Sequence, residues 1–145
     1  MKSRLLRGLT AALLIGSALS LPHHVGIPGA IRQAQAQSKE AGWKDEVSIT
    51  LKPGQGAEVK LTMAKGGKAE FSWTVKDGAV NYDLHGDGGG QNISYKKDRK
   101  VEKHSGTLEA AFDGNHGWFW RNRGRKDVTV ILRVRGDYTE VKRMI

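Results

Sequence analysis

From Val47 onward the chain alternates apolar and polar residues with a period of two, and this pattern restricts the fold more than anything else in the sequence. Val47, Ile49 and Leu51 form one such run, and Ala57, Val59, Leu61 and Met63 the next, with Glu58, Lys60 and Thr62 outward. The pattern resumes at Ala69, Phe71, Trp73 and Val75, at Val80, Tyr82 and Leu84, and at Leu108, Ala110 and Phe112. It closes with Trp118 and Trp120, then Val128, Val130, Leu132 and Val134 and a last strand from about Tyr138 to Met144. Successive side chains of a strand point to opposite faces, so each run is a strand with one dry face. Clusters such as Pro53-Gly54, Gly66-Gly67 and Asp77-Gly78 punctuate the runs as turns. The first two runs read as a hairpin. His85 to Gly90 reads as a glycine loop and Lys96 to Lys103 as a charged loop, with a short strand at Ile93 to Tyr95 between them. No 3.6-residue apolar period occurs beyond the N-terminal segment. The expected fold is therefore all-β, an antiparallel two-sheet sandwich of about eight strands spanning residues 47–145.

The N-terminal segment is of another kind. Lys2, Arg4 and Arg7 precede a stretch without formal charge from Gly8 to Ile31, with the apolar block Leu9 to Leu21 at its centre. This is the pattern of a signal peptide, and Ala34-Gln35-Ala36 offers a small-residue cleavage site. Residues 1–36 are accordingly expected to be a signal peptide or an anchor helix, and 37–46 a polar linker. Cut, the domain is soluble in the periplasm; uncut, the segment tethers it to the inner membrane. With Lys2, Arg4, Arg7 and Arg32 set aside, the net charge falls from +9 to +5. The 109 residues from Gln37 to Ile145 suffice for one core. Cysteine is absent, which rules out disulfides, thiolate metal sites and cysteine nucleophiles.

Phe71-Ser72-Trp73, then Val80-Asn81-Tyr82-Asp83-Leu84, a glycine loop and the stretch Gly106 to Tyr138 resemble, in that order, the Golgi-dynamics (GOLD) type of β-sandwich. The chain is more similar still to an uncharacterised group of bacterial exported proteins labelled as membrane-anchor proteins. These share FSW, HGD and DGNHGWFWRN, here residues 71–73, 85–87 and 113–122. The likeness covers residues 47–145. It implies a sandwich used for binding, although the eukaryotic domains tend to carry a disulfide that this chain lacks.

Several residues are candidates for chemistry. His85, Asp87, His104 and His116 stand in or beside expected loops and carry the imidazole and carboxylate groups that suit a divalent transition metal. Trp73, Trp118 and Trp120 are expected in the core, whereas Phe119 points opposite its two tryptophan neighbours. Beside it, Arg121, Asn122, Arg123 and Arg125 complete a candidate contact surface. Gly86 to Gly90 lacks the Lys-Ser/Thr ending and following helix of a phosphate loop. The basic clusters are interrupted by acids and match no nucleic-acid module, so an envelope protein or an anionic membrane surface is the expected partner. Neither a Gly-x-Ser-x-Gly elbow nor a paired-carboxylate pattern is present, and no enzyme is expected. The sequence thus points to a non-catalytic exported interaction module binding through loops at one end of a sandwich, with no cofactor. A periplasmic metal-binding accessory protein is the alternative. Oligomeric state is not legible.

Overall fold

The computed structural model describes residues 42–145. The expected signal or anchor helix and the first half of the linker lie outside them. The described chain forms nine strands: β1 (Asp45–Leu51), β2 (Gly56–Met63), β3 (Lys68–Lys76), β4 (Val80–Gly88), β5 (Gln91–Val101), β6 (Lys103–Glu109), β7 (Gly114–Arg121), β8 (Val128–Gly136) and β9 (Glu140–Met144). They make two antiparallel sheets, of four strands in the order β1-β8-β3-β6 and of five in the order β5-β4-β7-β2-β9. The all-β, two-sheet architecture follows the alternation read from the sequence.

The pairing does not. β1 pairs with β8 and β2 with β7 and β9, so the expected first hairpin is absent; its two strands lie in different sheets. Lys52 to Gln55 is an arch that carries the chain from one layer to the other, closed by the Gln55 N–H donating to Lys52 O at 2.9 Å. Alternation fixes which side chains face inward, and both geometries satisfy it. The one true hairpin is β4–β5, and it runs through the segment read as loop. Gly89 and Gly90 both take positive φ, 57° and 78°, the two-residue turn that suits strand twist, with Gly88 opposite Gln91. The charged segment read as a loop forms the outer half of β5 and the start of β6. Edge strand β5 is mostly exposed on both sides, so charge on either face costs little.

Both sheets contribute to the core. Trp73, Trp118 and Trp120 are fully buried, as expected. Trp73 meets Trp120 edge-on at 6.0 Å between ring centroids, Phe71 meets Trp118 at 5.0 Å, and Trp118 and Trp120 lie parallel at 6.1 Å along β7. Such pairs add to the area that the rings bury.

Candidate functional site

The outer face of the five-stranded sheet carries the molecule's unusual chemistry, and β7 positions it. Its alternation sends His116, Trp118 and Trp120 inward and Gly117, Phe119 and Arg121 outward. The Phe119 ring rests on Gly56 of β2, where a Cβ would come within 2.7 Å of it. The Arg121 guanidinium lies 5.4 Å from the Phe119 ring centre, within cation–π range. Phe119 and Arg121 border an open groove of about 480 Å³ lined also by Asp83, Lys97, Arg99 and Arg123. A β-bulge shapes its rim: one extra residue of β5 lies opposite Val80–Tyr82, Lys100 takes a φ of 55°, and the Asn81 side chain accepts the Lys100 N–H at 3.1 Å.

The groove is basic. Lys97, Arg99, Arg121 and Arg123 face it against Asp83 and Asp98; Asp83 accepts a hydrogen bond from the Ser94 hydroxyl and Asp98 one from the backbone N–H of Arg99. Among the described residues, the side-chain ion pairs lie elsewhere and none involves these four cations.

Two of the expected surface residues serve elsewhere. Asn122 is completely buried. Its amide donates to Leu51 O at 3.0 Å and Lys126 O at 2.7 Å, and its Oδ1 accepts the Gly124 N–H at 2.9 Å. It fastens the β7–β8 turn to the β1–β2 arch. Arg125 borders a separate depression beside Asp77 and Val128. Lys97 and Arg99 were missed because the β4–β5 hairpin was read as loops. Gly89-Gly90, a two-residue turn flanked by runs of strand-forming residues, was the signal that would have found them.

The four candidate metal ligands do not converge. All three histidines lie within strands rather than loops. His104 belongs to the four-stranded sheet and packs among Phe71, Trp73 and Tyr82, its ring 5.3 Å from that of Tyr82. His85 and Asp87 point outward from β4, whereas His116 points into the core opposite Gly86. A Cβ at residue 86 would lie 2.1 Å from His116 Nδ1, so the glycine of His85-Gly86-Asp87 is the space that the imidazole fills. Both His116 nitrogens are engaged: Nε2–H donates to Phe112 O at 2.8 Å and Nδ1 accepts the Tyr95 hydroxyl at 2.8 Å. Burial holds the His116 pKa below the ordinary imidazole value, and burial followed by Lys96 does the same for His104. Among the described residues no three His, Asp or Glu side chains are grouped to hold a metal ion.

Lys60 was expected in solvent and is instead 1% exposed, although it does point outward from β2. Its ammonium contacts Asp87 Oδ2 and lies 3.4 Å from Glu58 Oε1, which in turn lies 2.9 Å from His85 Nε2. The side chain crosses β7 at Gly117, the register partner of both Lys60 and His85, where a Cβ would come within 2.0 Å of Val59 O.

No family model matches the chain, and no curated protein matches it. Among solved structures it is similar to a de novo designed double-stranded β-helix, at 20% identity over 63% of this chain and all of that one, with a TM-score of 0.41. At that identity and score the likeness says nothing of function.

Proposed function

We propose that the chain is a non-catalytic binding module of the bacterial cell envelope that holds an acidic segment of a partner protein in the Phe119 groove. The observation that carries this reading is the pairing of an outward aromatic ring with four cations that outnumber the groove's two carboxylates and make no ion pair among the described residues. Aromatic and arginine side chains dominate the energetics of protein interfaces. Unpaired cations draw in an acidic partner and set its register. The site lies on a sheet face and its rim, not only on the loops at one end. Placement in the envelope rests on the charged N-terminus followed by an apolar block and on the resemblance to exported GOLD-like proteins.

The test is affinity capture from an envelope extract with the parent chain, Phe119→Ala and the double variant Arg121→Glu, Arg123→Glu. Proteins captured by the parent at low salt, lost with both variants and released by about 0.5 M salt support the reading. Undiminished recovery of the same proteins by the variants overturns it. Equal retention of the parent on vesicles rich in phosphatidylglycerol, with no protein lost by the variants, would point to a lipid surface instead.

A further inference from the structure

We propose that Lys60 and Asp87 become joined by a self-catalysed isopeptide bond, with Glu58 carrying the protons. The first ground is placement. Fully buried lysines are rare, and this one is buried on the outer face of a sheet, where nothing in the fold requires a long cation. Gly117, the residue of β7 between Lys60 and His85, puts no side chain in the way, and the amine of β2 reaches the carboxyl group of β4. Nucleophile and acceptor are in contact, the arrangement in which an intramolecular reaction gains most from fixed geometry.

The second ground is the carboxyl group beside them. Glu58 Oε1 lies 3.4 Å from the Lys60 amine and 2.9 Å from Nε2 of His85. Glu58 thus stands between the nucleophile and an imidazole, in reach of the nitrogen whose proton must move.

The step balances without any other reagent. The Lys60 ammonium gives one proton to the Asp87 carboxylate, leaving a neutral amine and a neutral acid. The Nζ lone pair attacks Cγ of Asp87, and a C–N bond forms. Glu58 takes a second proton from the nitrogen and delivers it to an Asp87 oxygen, whose bond to Cγ breaks as water leaves. The Asp87 side chain is 46% exposed, which gives that water a way out. Nothing is oxidised or reduced. The product closes residues 60–87 into a loop and ties β2 to β4 over β7, a covalent brace in a chain that has no cysteine to make one.

Peptide mapping of the purified folded chain decides the matter. The expected result is a branched species, one water lighter than its parts, joining the peptide containing Lys60 to that containing Asp87, with trypsin failing to cut after Lys60. Lys60→Arg should abolish it. Glu58→Gln should keep the fluorescence of the buried tryptophans yet form the branch roughly 100-fold more slowly. Separate, unmodified peptides from the folded parent overturn the proposal. So does loss of water confined to an Asp87-Gly88 succinimide, which leaves the peptides unbranched and opens with hydroxylamine. A Glu58→Gln chain that links as fast as the parent overturns the role given to Glu58.

Discussion

The two outer faces of the sandwich come from the same alternating pattern and have opposite chemistry. On the four-stranded sheet the outward row mixes hydroxyls with charges; the hydroxyls include Ser48, Thr50, Ser72, Thr74, Ser105, Thr107 and Thr129, with Thr50 and Thr129 3.0 Å apart across β1 and β8. Its arginines are matched to acids directly across a strand, Arg133 to Glu46 at 2.6 Å and Arg135 to Glu70 at 2.7 Å. On the five-stranded sheet no ion pair joins directly paired residues of neighbouring strands among the described residues, although Asp83 lies opposite Lys97. Lys60 reaches two strands away to Asp87, while Lys97, Arg99, Arg121 and Arg123 gather at the groove. A face whose arginines are paired in place has less guanidinium left to offer a partner. The other face combines a buried polar cluster with cations that make no ion pair among the described residues, and this difference is why the proposed binding site is set on the five-stranded sheet.

The comparison breaks most readily at Asp87. If the isopeptide bond forms, Asp87→Ala opens a loop of 28 residues and is expected to lower unfolding stability by about 3–4 kcal/mol on the chain-entropy model. Urea unfolding of the parent and variant measures it. Next in size is Gly117→Ala, because the added Cβ meets the backbone of Val59 and Lys60 rather than a movable side chain. A loss of about 1–3 kcal/mol is expected from such overpacking. Thr74→Ala at an exposed position of the opposite face should stay within about 0.5 kcal/mol.

Two histidines, one in each sheet, sharpen the contrast through pH. Both have pKa values lowered by burial in the fold. The unfolded chain then binds more protons than the folded one, so their contribution is complete above the unfolded value near 6.5 and is lost as pH falls through the folded values. Urea midpoints should therefore fall as pH drops from about 7 to 5. The two residues differ in what they bond. His104 Nδ1 is buried without a hydrogen-bond partner among the described residues. His104→Phe should keep the aromatic packing and flatten the acid loss. His116→Phe strands the Tyr95 hydroxyl and Phe112 carbonyl, and should cost about 1–3 kcal/mol at every pH.

These positions also show what was legible in the sequence. Facing was: Ile49, Trp73, Trp118 and Leu132 are buried as the period of two requires, and Phe119 is turned outward. Partnership was not, because an arch between sheets and a hairpin within one leave the same alternation, so β1 and β2 were paired wrongly. Gly86 falls in a segment read as a loop, yet it is a strand position emptied for the His116 ring, and Gly117 is one where the backbone of Val59 and Lys60 comes too close for a side chain. That information belongs to pairs of residues 30 and 57 positions apart. For the same reason Lys60 could be read as outward but not as buried, and Arg121 could be found as a site residue without Lys97 and Arg99.

The smallest effect has the most distinctive sign. Glu70→Gln removes half of an ion pair whose members are both about half exposed, so its cost should be under about 1 kcal/mol and shrink as salt is added. Arg123→Gln removes a cation from a cluster of like charges with no paired acid. That relieves repulsion, so the variant should be neutral or a few tenths of a kcal/mol more stable at low salt, and this difference too should fade on screening. Unfolding midpoints of both variants at about 0.02 M and 0.5 M salt read the two signs directly. If Arg123→Gln destabilises like Glu70→Gln, the groove cations are satisfied within the chain, and the argument that they await an acidic partner loses its basis.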